Sequence, residues 1–458
     1  MDYQSEAPKS CSWFLRIFQP ALPATVMLTD PAAIAVKYRR WQTRVLFFSI
    51  IGYATFYLVR KNYSVALPII GKDLGIDKSG LGLILTLHGM VYGISKFLNG
   101  FLADRANACV FMATALIASA LLNIWFGFSS TLMIFLIIWM LNGWFQGMGF
   151  PPCARLMTNW FPPKQLATKF SIWNSSHNIG SIGIVLLGGF LVDGTFFGQR
   201  FFTPNWRLCF FVPAAIALVV AIIVWLMMPD TPPSVGLPEV EGTHVETAEQ
   251  GAGEDFNAFV RRQVFGNPYI WLLSFANFSV YTLRYAVFDW GTTIMMEAKH
   301  IQIVDSKWMI AGFEVFGFIG AMFGGWFSDR FLGGRTVRAC VVYMALAGVS
   351  LWLFWKIPTQ SKLLTTSLLC AIGFFVYGPQ CLLAIACANL ATKRAAATAI
   401  GLTSIFGYAS TWLSGWGMGT LVQHYGWDAA FRGLMVVAVV GTLLFIAAWP
   451  AKAHGYKN

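Results

Sequence analysis

Charge is scarce in this chain. Asp, Glu, Lys and Arg make up 11% of its 458 residues, against about 25% in soluble globular domains. That is too little to cover a water-facing surface. Metal-ligand spacing is missing as well. The eight cysteines are spread through or beside apolar segments, apart from Cys11. No two have the spacing of a metal site or a disulfide framework, which leaves them as small buried hydrophobes. No nucleophile–base constellation stands out, so neither an enzyme nor a cofactor is expected. The first 36 residues hold Pro20, Pro23, Asp30 and Pro31 and lack an apolar core followed by a small-residue cleavage site, so no signal peptide is expected. The short alternating strands of a β-barrel are missing too.

What remains is oil in long runs. Hydrophobic residues are 57% of the chain and the mean hydropathy is +0.61. Apolar stretches of membrane-crossing length recur from end to end, which predicts a polytopic membrane protein. Backbone groups in lipid must be satisfied within each segment, so the spans are predicted to be helices. Twelve are expected, near 46–70, 82–103, 109–128, 131–155, 168–193, 207–228, 267–294, 304–327, 337–356, 363–390, 396–421 and 429–449. The stretch "PDTPPSVGLPEVEGTHVETAEQGAGEDFNAFVRRQ" is polar, acidic and rich in Pro and Gly, the composition of a linker. The predicted organisation is an N-terminal segment 1–45, a six-helix half 46–228, a linker 229–266, a second half 267–450 and a tail 451–458.

The net charge of +12 is not read as nucleic-acid binding, because the basic residues collect in loops. With both termini cytoplasmic, about 19 of the 32 Lys and Arg fall in cytoplasmic segments, in line with the positive-inside rule. The outer loops hold Lys72, Lys78, Arg200, Arg207, Lys299, Lys307, Lys356 and Lys362. Arg60, Lys61, Lys96, Arg284 and Arg432 lie within spans or at their ends.

The halves repeat. "GFLADR" ends at Arg105 and "GWFSDR" at Arg330, an offset of 225; "FYLVR" ends at Arg60 and "VYTLR" at Arg284, an offset of 224. "GFPPC" in span four and "YGPQC" in span ten are offset by 228. Three landmarks at a nearly constant offset mean two parallel six-helix repeats. That is the architecture of the major facilitator fold, whose short cytoplasmic G-x-x-x-D-R loop the pairs Asp104–Arg105 and Asp329–Arg330 resemble.

Arg60 and Arg284 are the costly residues. A charge at the bilayer centre costs about 2.5–3.5 kcal/mol on insertion scales. Arg60 lies about 15 residues, or roughly 20 Å, into span one, too deep to snorkel easily. One reading is an ion pair that serves assembly alone. The repeat favours another: two symmetry-equivalent arginines face each other across the halves and need an anion between them. A phosphate suits two planar guanidinium forks, and a carboxylate substrate is the alternative.

Lys61 points about 100° away from Arg60, with Asp289 and Glu314 in the other half as candidate counter-charges for a gate or a permanent bridge. His177, with Asn174 one turn before it, reads as part of a polar stripe. Its intrinsic pKa lies near 6.5, so it is a candidate for substrate contact or proton coupling, or else an ordinary satisfied polar residue. Lys96 is a path residue or a plain anchor, and no role is read for His88. Tyr53, Tyr57, Trp144, Tyr281, Tyr377 and Tyr408 fall within spans; Tyr57 and Tyr281, one turn before the arginines, have the best claim to the cavity. Gly143, Gly147, Gly149 and Pro151–Pro152 in span four predict close packing and a kink.

At "GYATFYLVRKN", "GISKFLNGFLADRAN", "GWFQGMGFPPCAR", "SIWNSSHNIG", "TLRYAVFDW" and "IFGYAS" the chain resembles the organophosphate:phosphate antiporters of the major facilitator superfamily. The match runs in order from about Arg44 to Phe445. The resemblance implies exchange of a phosphate monoester for inorganic phosphate by a rocker-switch in a bacterial inner membrane, with no nucleic-acid partner; a monomer is expected. Residue by residue, it carries the family's two arginines onto Arg60 and Arg284. The family's lysines fall on Lys61 and Lys96, its histidine on His177, and its carboxylates on Asp289 and Glu314. Hexose-phosphate members carry an acidic and a basic residue in span eleven. Here that region reads "TAIGLTSIFGYAS", without charge, which favours a three-carbon ester such as glycerol-3-phosphate. A hexose-6-phosphate antiporter and a transporter-like sensor of phosphorylated sugar are the alternatives.

Overall fold

The computed structural model describes residues 18–451 except 104, 197–198, 202, 241–255 and 358–360. Asp104 therefore lies outside the described residues. Long helices dominate. The first half holds α1 (Pro31–Leu74), α2 (Lys78–Ala103), α3 (Ala108–Phe128), α4 (Leu132–Gly147), α5 (Phe150–Trp160), α6 (Pro163–Asn174), α7 (Ser176–Asp193) and α8 (Leu208–Met227). The second holds α9 (Pro268–Asp289), α10 (Ile303–Leu332), α11 (Thr336–Lys356), α12 (Lys362–Ala409) and α13 (Met418–Ala447).

The chain starts α1 with local chemistry. The Asp30 carboxylate accepts from the N–H groups of Ala32 and Ala33 at 3.3 and 3.1 Å, Pro31 suits the first turn, and Gly75 at φ 65° ends the helix. Its 44 residues extend ~66 Å, about twice the hydrocarbon thickness, so α1 begins well outside the bilayer. There Lys37 Nζ donates to the Val235 carbonyl at 2.7 Å and the Tyr38 hydroxyl donates to that of Pro238. Burial, helped by the Glu239 carboxylate, pushes the Tyr38 hydroxyl up to about 12.

Among the described residues, ten helices are long and apolar enough to cross a membrane. This is consistent with twelve crossings. Residues 398–447 make one apolar stretch of 50 residues, ~75 Å of helix, interrupted at Gly426 with φ 77°. That length serves two crossings. The seventh span, α9, falls short on composition, because it carries Arg284, Asp289 and Asn277.

Two spans are broken, span four at the kink that its glycines and prolines predict and span five where a continuous run is expected. Span four divides at Met148–Gly149 into α4 and α5, ahead of Pro151–Pro152, and span five divides at Ser175 into α6 and α7. Span eleven passes through a π-helical turn at Trp412–Gly417.

The halves meet along α2, which packs on Trp412–Gly417 and α13, and along α7, which packs on α10. The α2 contact is a backbone contact. A Cβ on Gly82 would sit 2.4 Å from the Gly415 carbonyl oxygen, so only glycine fits there. Thr86 Oγ1 donates to the Thr411 carbonyl at 2.8 Å and accepts from the Trp416 N–H at 2.8 Å. The bonds that join the halves cluster between the level of the arginines and the end bearing the turn at residues 75–77.

At the opposite end one carboxylate ties three elements of the first half together. Asp230, 2% exposed, accepts from the N–H of Ala108 at 2.9 Å and of Ala21 at 3.2 Å, and lies 3.6 Å from the Arg155 guanidinium. Asp230→Ala leaves the N–H groups of Ala21 and Ala108 without their acceptor and removes the counter-charge of Arg155, whose guanidinium keeps the Ala103 and Ala106 carbonyls. The expected loss is about 1–3 kcal/mol, read as a lowered thermal midpoint in detergent. An unchanged midpoint would show that the carboxylate does not hold this end.

Candidate functional site

The two repeated arginines sit where α1 and α9 approach each other, and they are arranged differently. The Arg60 guanidinium lies over the ring of Tyr57, 4.0 Å from its centre, and 4.9 Å from that of Tyr92. Tyr57 is one turn back on the same helix face, so the sequence spacing suffices for that contact. Arg284 instead lies over Tyr377 of α12 at 4.4 Å, with Tyr285 at 5.8 Å. Tyr281, the repeat counterpart of Tyr57, packs on Tyr285 and Tyr408 at 5.4 and 6.1 Å. Tyr57, Tyr285 and His177 are within electrostatic range of both guanidiniums.

Among the described residues neither arginine has a carboxylate within 4.0 Å. Aromatic faces solvate them in part, at about 0.5–2 kcal/mol per contact. That falls well short of a carboxylate partner in a low-dielectric setting.

The carboxylates are engaged elsewhere. Asp289 accepts from Lys61 Nζ at 2.6 Å and from Ser64 Oγ at 2.8 Å, so the Lys61 pair spans the halves, and the choice between Asp289 and Glu314 falls on Asp289. Glu314, 1% exposed, accepts from the Tyr377 hydroxyl and from Asn178 Nδ2, the latter at 3.4 Å. It too bridges the halves, through α7 and α10, and stands within electrostatic range of Arg284. Further toward the 75–77 end, Lys307 meets Asp193 at 3.4 Å and Lys78 meets Glu297 at 3.2 Å. This end of the bundle is closed by ion pairs.

Lys96 Nζ lies 4.1 Å from the centre of the Phe150 ring and 3.4 Å from the Tyr408 hydroxyl, which again links the halves. Half-buried His177 shares a hydrogen bond between Nδ1 and the Asn174 carbonyl, and its ring centre is 5.9 Å from that of Tyr57. Asn174 is exposed. Tyr53 belongs to an aromatic wall with Trp173 at 4.8 Å and Tyr57 at 5.8 Å. Trp144 enters through its carbonyl, which accepts from Ser95 Oγ. Arg105, Asp329 and Arg330 are exposed at the far end of the bundle, away from the arginines.

The cluster of Arg60, Lys61, Lys96 and Arg284 against Asp289 and Glu314 carries four cations and two carboxylates. The surplus is two positive charges. Sequence reasoning did not place Tyr92 and Tyr285 at this site. Tyr92 lies one turn from Lys96 on the same face of α2, and Tyr285 is next to Arg284, so both were open to discovery from spacing. Ser64 carried no such signal, whereas Asn178, beside His177, belongs to the polar stripe that the sequence shows.

Lys61→Asp or Asp289→Lys alone puts like charges where a 2.6 Å ion pair stands. Each is expected to open the 75–77 end, read as a longer distance between spin labels at Lys72 and His424. Combining both swaps rebuilds a reversed pair and is expected to restore most of the short-distance population. A double variant as open as the singles would show that the pair does not hold this end shut.

The Major Facilitator Superfamily profile matches residues 49–415. A glycerol-3-phosphate transporter of Bacillus subtilis is 36% identical over 445 residues, covering 95% of this chain and 98% of its own. A probable hexose phosphate transport protein of Chlamydia muridarum is 35% identical over 459 residues, covering 97% and 98%. The membrane sensor protein UhpC of Escherichia coli is 34% identical over 427 residues, covering 92% and 95%. Among solved structures, a bacterial homolog of the human lysosomal transporter Spinster, inward-facing and unoccupied, superposes with a TM-score of 0.71. It is 17% identical, with 89% of this chain and 95% of that one covered, a likeness of fold.

Proposed function

We propose, on the premise that this chain belongs to the Major Facilitator Superfamily and to its organophosphate:phosphate antiporter family, that it exchanges a small organic phosphate for inorganic phosphate by alternating access. The family are transporters, not enzymes. The observation that carries the reading is the pair of arginines without carboxylate partners, inside a cluster whose surplus of two positive charges equals the charge of a phosphate dianion.

The mechanism follows from charge. Each guanidinium offers two parallel N–H donors to one phosphate. A bound dianion draws α1 and α9 together and offsets the cost of burying both cations, which is several kcal/mol per ion. The Lys61–Asp289 pair then becomes dispensable as the tie between the halves, and the closed end is free to part. Without an anion the two arginines repel across the interface and reorientation is slow. His177, Tyr57, Tyr281, Tyr377 and Tyr408 act as hydrogen-bonding and packing walls around the organic group, together with Tyr53, Asn174 and Trp144. Lys96 draws anions toward the arginines from the end opposite the latch.

Glycerol-3-phosphate is the ester we favour, because the span-eleven stretch of α12 carries no charge at 398–409 for sugar hydroxyls. The basic residues are concentrated in the segments on the terminal side, which supports cytoplasmic termini in a bacterial inner membrane and places the 75–77 end outside. The chain works as a monomer in this reading.

Counterflow in proteoliposomes preloaded with inorganic phosphate tests the reading, with labelled glycerol-3-phosphate, glucose-6-phosphate and phosphoglycerate offered in turn. Uptake is expected to be strongest for glycerol-3-phosphate and to need internal phosphate. Equal uptake with and without internal phosphate would rule out obligate exchange, and uptake of none of the three would favour a sensor. Arg60→Lys and Arg284→Lys keep the charge and lose the planar fork. Each is expected to weaken phosphate binding by roughly ten- to hundred-fold in protein that still inserts. Wild-type affinity by calorimetry in either variant would remove that arginine from the site. His177→Gln is expected to weaken phosphate binding, and unchanged affinity would leave His177 a packing residue.

A further inference from the structure

His88 takes no part in the exchange as described so far, yet it is one of the most constrained polar side chains in the protein. It is 8% exposed. Its Nδ1 lies 3.0 Å from the Trp139 carbonyl oxygen, an atom that can only accept, so Nδ1 carries the hydrogen. The ring is set against the Trp139 ring at 5.6 Å. The backbone beneath it packs closely on span four: a Cβ on Gly143 would come within 2.7 Å of the His88 carbonyl oxygen. With Nδ1 donating, Nε2 of the neutral ring is left as a lone pair, and that atom is buried without a hydrogen-bond partner among the described residues.

Nε2 belongs to a residue that lines a small cavity of about 40 Å³, which is also bounded by Arg60, Lys61, Ser64, Tyr92 and Asp289. Arg60 Nε is likewise buried without a partner among the described residues. The cavity is bounded by one arginine of the pair and by both partners of the Lys61–Asp289 latch. By volume it takes about three waters and not a phosphate. The latch forms part of its wall, so parting Lys61 from Asp289 both opens that end of the bundle and enlarges this chamber. An anion entering there meets Arg60 and His88 first.

The chamber thus joins a guanidinium donor with an acceptor-only nitrogen. A phosphate monoester dianion offers an acceptor nothing. Hydrogenphosphate and dihydrogenphosphate differ from a phosphate ester in this respect: inorganic phosphate keeps at least one P–OH at pH 7, whereas a monoester, with its second pKa near 6, has lost its own. We propose that His88 is a specificity-determining residue for the inorganic half of the exchange, its Nε2 accepting a hydrogen bond from the P–OH of inorganic phosphate while Arg60 binds the anionic oxygens. The inference rests on the proposed phosphate exchange and adds to it a contact that reads the hydroxyl of the ion.

The probe is fluorophosphate, which has nearly the shape of hydrogenphosphate and carries fluorine where phosphate carries the hydroxyl. In proteoliposomes at pH 7, exchange of labelled internal phosphate is driven by external phosphate, or competed by external fluorophosphate. The wild-type protein is expected to prefer phosphate by about tenfold, the worth of one buried hydrogen bond. His88→Phe keeps a flat ring against Trp139 and removes the acceptor. It is expected to lose affinity for phosphate alone, so that the preference falls to about one. His88→Gln can turn its amide oxygen into the chamber and is expected to recover part of the preference. No preference in the wild type, or an unchanged preference in His88→Phe, would overturn the assignment. An equal loss for both ligands would also overturn it, because a packing role moves both alike. Should His88→Phe fail to insert, a His88→Gln protein with no preference at all counts against it equally. Failure of the wild type to exchange phosphate at all would instead overturn the underlying transport reading.

Discussion

Two guanidiniums without carboxylate partners, held near each other in the middle of a low-dielectric bundle, set the terms for everything else in this molecule. Arg60 and Arg284 come from separate halves, so their repulsion acts directly on the interface that must rearrange. Aromatic rings at 4.0 and 4.4 Å make each cation tolerable without neutralising it. A carboxylate beside either arginine would have made a stable structural bridge and a poor anion site. The carboxylates that are present are each tied up: Asp289 by Lys61 and Ser64, and Glu314 by Tyr377 and Asn178.

In the proposed exchange, that division of labour couples binding to movement. The ion pair between Lys61 and Asp289 and the hydrogen bond from Asn178 to Glu314 reach across the halves, as do the arginines through any anion they share. Lys61 follows Arg60 in the chain, so a shift of α1 toward a ligand on Arg60 also moves the latch. The contacts nearer the 75–77 end are of a different kind. Gly82 and Gly415 bring two backbones together with no side chain between them, Lys78–Glu297 adds an ion pair at the start of the same helix α2, and Lys307–Asp193 ties α10 to α7 at the other seam. Backbone-to-backbone packing is rigid, whereas ion pairs can exchange a partner for water. Such an interface can part cleanly without unpacking a hydrophobic core.

The broken helices serve the same end. Span four divides beside its glycines and prolines, where α2 must come close: a Cβ on Gly147 would sit 2.4 Å from Ser95 Oγ. Span five divides at Ser175, just before His177 and Asn178, and so presents both toward the other half. Breaks of this kind are tolerated in a membrane only where neighbouring polar groups satisfy the freed backbone, and both lie on the interior of the bundle.

Much of this was legible in the residues themselves. Composition alone demanded a membrane bundle, because so little charge cannot solvate a globular surface. The constant offset between the halves pointed to the internal repeat, and the cost of burying arginine marked Arg60 and Arg284 as the centre of the proposed site. The spacing of Tyr57 to Arg60 was enough to stack one on the other, since residues three apart share a helix face. Only the tertiary structure decided which carboxylate Lys61 takes, why Arg284 stacks on Tyr377 of α12 and not on Tyr281, and that His88 faces the chamber behind the latch. Those choices depend on the rotation of each helix about its own axis and on how two halves of the chain are docked. Repeat symmetry relates the backbones of the halves but not their side-chain partners. Contacts between residues more than two hundred positions apart leave no local period in the sequence from which they could be read.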